Sequence, residues 1–382
     1  MELSHNKIKV ALGLSFFLSG ACFSTWASRI PTIKETFSLN EAELGSLLFV
    51  LPVSSLIGLP ISGWLVAKFD SRYPLLVGFV FFCLGLFAIG LSTTLFQLTM
   101  AVFLFSFSMR IINIAMNTQS LMVQKMYPKK INGLMHGLWS LGGLTGILFS
   151  TLMVRLDLGL VPHLLSVGGV TLVLCFASFP YLLQNDRQSE GNKIIFGKPD
   201  KYILTLGLLV FFAAVCEGGM YDWSGVYFRE VVGVELFTLS YLAFMVSMTL
   251  SRFISDRFIE KLGESKYYII SASVALVGIA MIILFPYFIP ALIGFSIAGF
   301  GVAAIFPMTF TMTSKSKKYA PGVAISLVAT YATVGILIGP PLIGYIAHIF
   351  KLQYAFVLFF IAILTIIPLS RELFKILEAD KN

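Results

Sequence analysis

The sequence predicts an all-α integral membrane protein: twelve transmembrane helices in two six-helix bundles. Three observations carry that expectation. Hydrophobic residues make up 57% of the 382 residues and charged residues only 12%, against about 25% charged in a typical soluble domain. The apolar residues gather into runs of about 20, the length a helix needs to cross a hydrocarbon layer of about 30 Å. Strand-like alternation is missing from these runs, so backbone groups in lipid are expected to be satisfied within helices.

Taken in order, the spans are expected near 9–30, 42–66, 73–94, 96–124, 131–154, 159–183, 202–227, 236–254, 266–285, 287–312, 322–349 and 352–370. Lys7 and Lys9 precede the first, as in a secretory leader, but eleven further spans follow and no small-residue cleavage site closes it, so it is expected to be retained. With the N-terminus inside, 21 Lys and Arg fall in inner segments and five outside (Arg29, Lys34, Arg155, Arg229, Lys351), while Arg110 lies within a span. That bias predicts a multi-pass protein of the inner (plasma) membrane with both termini cytoplasmic. The net charge of +8 is spread over short loops, which argues against nucleic acid as a partner and leaves membrane lipids as the surroundings. The polar stretch after span six divides the chain into an N-terminal bundle (1–183), a cytoplasmic linker (184–201) and a C-terminal bundle (202–382).

The halves echo one another. Trp26 in FSTWASRIP matches Trp223 in MYDWSGVYF 197 residues later, and Gly142 and Gly146 match Gly335 and Gly339 at an offset of 193. Ordered echoes at nearly one spacing point to duplication.

Span four is distinctive. In Phe96–Gln124, the residues Arg110, Asn113, Asn117, Ser120 and Gln124 recur every three or four positions and share one helix face. The other face, with Phe103, Phe107, Ile111 and Met122, is apolar. A guanidinium at mid-span is expensive in lipid and is kept beside a partner or water. Span seven carries Glu217 near its middle and Asp222 nearer its outer end, and Gly218 and Gly219 follow Glu217 where the helix is expected to bend. Span ten, with Gly299, Gly301 and Pro307, is likewise breakable.

Three roles stay open for Arg110 and Glu217. Burial favours the neutral form of a carboxyl and a neighbouring cation opposes this, so Glu217 fits proton coupling with Arg110 as a switchable partner. Alternatively Arg110 forks onto the carboxylate or phosphate of an anionic solute, with Asn113 and Asn117 completing the contacts. A permanent ion pair between the halves is the third. Trp26, Trp139 and Tyr331 are candidates to stack on a sugar or other ring, although aromatics in membrane helices are more often packing residues. His136 suits a helix end better than a proton relay, and Gly142, Gly143 and Gly146 suit close helix approach. Cys22, Cys83, Cys175 and Cys216 all sit in apolar runs without metal or disulfide spacing. Phosphate-cradling, nucleophile-elbow and metalloprotease motifs are lacking, so no enzyme, metal or cofactor is expected.

The segment after span two, Gly63-Trp64-Leu65-Val66-Ala67-Lys68-Phe69-Asp70-Ser71-Arg72, resembles the loop signature G-x-L-x-D-R-x-G-R-R of the major facilitator superfamily. Gly63, Leu65, Lys68 and Arg72 fit, whereas Ala67 replaces the usual acid and Asp70 a glycine. A second copy, with Arg252, Asp256 and Arg257, keeps an acid beside a base. The runs Trp26–Pro31, Met116–Gln119 and Glu217…Asp222-Trp223-Ser224 are similar to YbjJ-type inner-membrane proteins, relatives of the fucose-permease group. The resemblance implies a central cavity lined by spans one, four, seven and ten, gates built on the two loop copies (Gly63, Lys68, Asp70, Arg72, Arg252, Asp256, Arg257), and a monomer. The expected function is a secondary transporter working by alternating access, with proton coupling through Glu217 and Asp222, as in a symporter. Its solute is small and polar, anionic or sugar-like. Proton-driven export of a metabolite, siderophore or drug is the alternative within transport, and a non-transporting receptor or scaffold is the alternative from another class.

Overall fold

The computed structural model describes residues 5–128, 131–186, 199–319 and 321–379, apart from the side chains at 132, 256, 321 and 322. Most of the expected linker, 187–198, lies outside the described residues. Twelve long helices account for most of the described chain, and no strand occurs among the described residues. Eleven of the helical segments are long and apolar enough to cross a membrane. The exception is Thr238–Leu262, whose Ser, Thr and charged residues dilute its apolar content. The chain resolves into two compact units, the first comprising Met1–Phe37 and Val50–Lys193 and the second Ser38–Phe49 and Ile194–Asn382.

In the first unit, α1 (His5–Ser28) is followed by the short α2 (Ile30–Thr36). The first expected span therefore ends early. Arg29 leaves helical geometry, and Pro31 opens α2 at a position that needs no amide donor. Helices α3 (Glu41–Lys68), α4 (Arg72–Leu91), α5 (Leu95–Gln124), α6 (Asn132–Arg155) and α7 (Leu160–Ser178) complete the unit, and one 3₁₀ turn follows at Phe179–Tyr181.

Glycines set the closest approaches, as expected where backbones rather than apolar bulk must meet. A side-chain carbon built on Gly142 of α6 would lie 1.9 Å from the Phe17 carbonyl oxygen of α1, and one on Gly146 would lie 2.4 Å from that of Ala21. On α4, Gly85 abuts the Phe105 backbone of α5, and the Phe82 and Phe105 rings stack 4.4 Å apart. A capping box at Thr94 and Gln97 starts α5.

The second unit holds α8 (Lys201–Glu230), α9 (Thr238–Leu262), α10 (Glu264–Leu284), α11 (Phe288–Val302), α12 (Ile305–Met312), α13 (Pro321–Phe350), α14 (Leu352–Ala355) and α15 (Val357–Ala379). The stretch 38–49 belongs to it because Gly45 packs on the backbone of Pro341 and Gly344. Helix α8 is continuous through Gly218 and Gly219. Gly219 makes room for the Phe359 ring, which would lie 2.4 Å from an added carbon. Span ten does break, between α11 and α12 at Ala303–Ala304, and Pro307 occupies the first turn of α12, where it has no helical donor to lose. Gly299 and Gly301 serve packing instead, against the Phe244 carbonyl and against Ser271 and Ala275.

Candidate functional site

In the first unit the polar seam of α5 divides into two parts. Arg110, Asn113 and Asn117 are half-buried and share a face. The Arg110 Nε donates to Ser55 Oγ of α3 at 2.6 Å, with Gly58 leaving room for Phe107 and the Arg110 stem. Within the first unit no carboxylate of the described residues pairs with Arg110, whose two Nη groups form a fork. The Asn117 amide donates back to the Asn113 carbonyl at 2.8 Å. Farther along, the seam turns structural. Gln119, fully buried, donates to the Leu183 carbonyl at 3.2 Å, and Gln124 Oε1 accepts from the Ile131 amide at 2.7 Å.

Two expected aromatic contacts read differently in three dimensions. Trp26, expected to stack on solute, is only 1% exposed, with its ring 5.9 Å from that of Phe105. Its ring is buried in the first unit, and its indole Nε1 is buried without a hydrogen-bond partner. Tyr331 lies over Gly207, filling the notch that the missing side chain leaves on α8. Trp139 is half-buried against Phe23, with ring centroids 6.0 Å apart.

At the loop signature, Gly63 has open space around it. Lys68 stands over the Trp64 ring at 4.8 Å, and the Arg72 guanidinium lies over Tyr73 at 4.7 Å and Phe179 at 5.4 Å. Asp70 is buried. A carboxylate reaches this loop from a residue that sequence reasoning passed over: Asp186, 1% exposed, accepts from the Ser71 amide at 2.8 Å and from the Ser71 hydroxyl. It thereby caps the start of α4, where helical amides lack partners. Its only sequence signal was an acid shortly after the apolar run of span six.

A second unforeseen cluster joins Arg29 and His163. The Arg29 Nε donates to His163 Nδ1 at 3.0 Å, and Nη2 donates to the Leu158 carbonyl at 2.8 Å. Arg29, expected at the outer edge of span one, is 4% exposed.

In the second unit, Glu217 finds its cation on the neighbouring helix. Arg252 Nη2 lies 3.1 Å from Glu217 Oε1, and the Tyr221 hydroxyl donates to the same oxygen at 2.7 Å. The Arg252 Nε reaches the Ala303 carbonyl at 3.3 Å. Ala303 sits at the break between α11 and α12, where carbonyls lose their helical donors. Arg252, expected in a gate loop beside Asp256 and Arg257, lies instead within α9, which continues to Leu262, past the expected span end, and its side chain turns inward. Arg257 is exposed on the same helix, and the side chain of Asp256 lies outside the described residues. Glu217 Oε2 is buried without a hydrogen-bond partner. Asp222 is 8% exposed, with no hydrogen bond or ion pair to the described residues of the second unit.

Residues 12–331 match the family model of the Major Facilitator Superfamily. An uncharacterized MFS-type transporter of Yersinia pestis is 30% identical over 366 residues, 95% of each chain. The membrane protein MosC of Rhizobium meliloti is 28% identical over 366 residues, 95% of this chain and 89% of that protein. Among solved structures, the nucleoside transporter NupG superimposes with a TM-score of 0.75 at 14% identity, covering 96% of this chain and 99% of that one. A bacterial homolog of the human lysosomal transporter Spinster, inward-facing and occupied, gives 0.76 at 14% identity over 96% of both chains. These two share the fold. A family match across most of the chain, joined to twelve long helices with intramembrane charges, makes this protein a member of the Major Facilitator Superfamily.

Proposed function

We propose that this superfamily transporter is a proton-coupled secondary carrier of a small anionic solute, working by alternating access. The observation that carries the proposal is Arg110, held at mid-helix by the Ser55 hydroxyl, with no carboxylate among the described residues of the first unit paired to it. A guanidinium so placed presents two parallel N–H donors, the geometry that suits a carboxylate or phosphate. Asn113 and Asn117 stand on the same face, and their amides suit the remaining oxygens of such a solute. A sugar-like solute, implied by the short motifs similar to the fucose-permease group, fits the amides but has no charge for Arg110.

The two acids of α8 take different parts. Glu217 is clamped by Arg252 and Tyr221, and neutralising either charge of that pair releases α9 and the α11–α12 break from it. Asp222, which no described donor of the second unit reaches, is free to take up and release a proton. The 21-to-5 distribution of basic residues supports an inner-membrane orientation with cytoplasmic termini.

The test is uptake into proteoliposomes under an imposed pH gradient, after a thermal-shift screen of organic acids, sugars and nucleosides identifies a ligand. Arg110→Ala removes the ligand-induced shift, and Asp222→Asn removes the dependence of uptake on the gradient. An undiminished shift in the Arg110 variant refutes the anion anchor, and gradient-driven uptake in the Asp222 variant refutes the coupling role.

A further inference from the structure

At one end of the first unit, the start of α1 and the end of α7 part to leave a groove of about 440 Å³. Its walls are apolar, with Val10, Ala11 and Leu14 on one side and Leu174 and Ala177 on the other. Ala11 and Ala177, both with short side chains, are among the residues that line the recess. At its mouth stand Lys7 and Tyr181, with Lys7 Nζ 5.7 Å from the ring centroid. No carboxylate of the described residues pairs with Lys7. Farther around the same end, Lys9 stands over the Tyr127 ring at 5.1 Å. Basic and aromatic side chains at the end of a membrane helix mark the level of the lipid headgroups.

We propose that this groove holds one anionic phospholipid, its phosphodiester at Lys7 and Tyr181 and an acyl chain between Val10 and Leu14 of α1 and Leu174 and Ala177 of α7. Three features select that occupant. The Lys7 ammonium, paired with no carboxylate of the described residues, sits where the chain enters the headgroup region, and it complements a phosphate in charge. Below it the walls are mainly apolar, and the one hydroxyl there, that of Ser178, donates to the Cys175 carbonyl, which suits a hydrocarbon tail better than a free phosphate. The rim also lies beside lipid, since Val10, Val170, Val173 and Phe176 on the flanking faces are exposed at 67%, 58%, 69% and 55%. A basic pocket between transmembrane helices at headgroup depth is the arrangement that retains acidic lipids. The site is independent of the solute and coupling roles assigned above.

The experiment uses the full-length protein, purified in detergent and stripped of lipid. Phosphatidylglycerol, phosphatidylcholine and inorganic phosphate are added separately, with native mass spectrometry and thermal melting as readouts. Phosphatidylglycerol is expected to give one retained adduct and a raised melting temperature, phosphatidylcholine a weaker adduct, and phosphate neither. Loss of one surface lysine contact corresponds to about fivefold weaker retention, so Lys7→Gln lowers phosphatidylglycerol occupancy by about that factor while Lys7→Arg keeps it. Ala177→Leu, which fills the recess with hydrocarbon, removes the adduct without lowering the melting temperature of the lipid-free protein. Equal retention of the two lipids, stabilisation by phosphate alone, or unchanged phosphatidylglycerol retention in Lys7→Gln each overturns the proposal.

Discussion

The ion pair between α8 and α9 gives the sharpest test of how the second unit is held. Arg252→Gln removes the cation while keeping most of the side-chain length, and leaves Glu217 with the Tyr221 hydroxyl as its remaining partner. Deleting one member of a fully buried pair costs about 3–5 kcal/mol, because the survivor is left desolvated and uncompensated. Here the Glu217 side chain is 12% exposed but that of Arg252 is 35% exposed. Solvent reaches the guanidinium and screens the pair, so about 2 kcal/mol is the appropriate expectation. For a unit of this size that corresponds to a fall of about 4–8 °C in melting temperature.

The double variant Glu217→Gln, Arg252→Gln leaves neither partner as an uncompensated charge and is expected to recover most of the loss, with a coupling of at least about 1 kcal/mol between the sites. Melting of the three variants in one detergent, followed by circular dichroism, supplies the cycle. Strictly additive effects, with coupling below about 0.5 kcal/mol, would show that the two residues do not act as a pair, and the clamp would have to be abandoned.

Other expectations follow from single contacts. Gly142→Ala puts a carbon 1.9 Å from the Phe17 carbonyl oxygen, and should destabilise by about 3 kcal/mol and lower folded yield. Gly63→Ala, with nothing within 4 Å, should melt with the parent protein. Asp186→Ala strands the Ser71 amide at the start of α4, a loss of about 1–3 kcal/mol. Hydrogen exchange should report faster opening of the first turn of α4, and unchanged protection there would refute the cap. Ser55→Ala frees Arg110 Nε and should weaken binding of an anionic ligand far less than Arg110→Ala does, measured by the size of the thermal shift at fixed ligand concentration.

Much of this protein was legible along the chain because a membrane is a one-dimensional constraint. Each crossing must be apolar for about 20 residues, so the spans, the polar seam of α5 and the isolated acids of α8 stand out by composition and period alone. Helix interruptions were harder to place. Gly218 and Gly219 have the composition of a hinge, but an absent side chain serves equally well to admit a neighbour's ring, and Phe359 uses the space beside Gly219. Span ten broke one helical turn before its proline, at two alanines with no breaking tendency of their own. Asp186, Arg29 and His163 were missed because each partner lies more than a hundred residues away in sequence.

What the sequence by itself determined is the solvent each segment meets. Hydropathy, loop charge and helical period are properties of a residue and its near neighbours, and they sufficed for an all-helical membrane fold with its spans in order. Tertiary structure alone decided the partners. Glu217 took Arg252 because α9 continues past its apolar stretch and turns that side chain inward, and because the α11–α12 break leaves the Ala303 carbonyl within its reach. Charges in a low-dielectric interior interact according to distance in space, and that distance is set only when the helices pack.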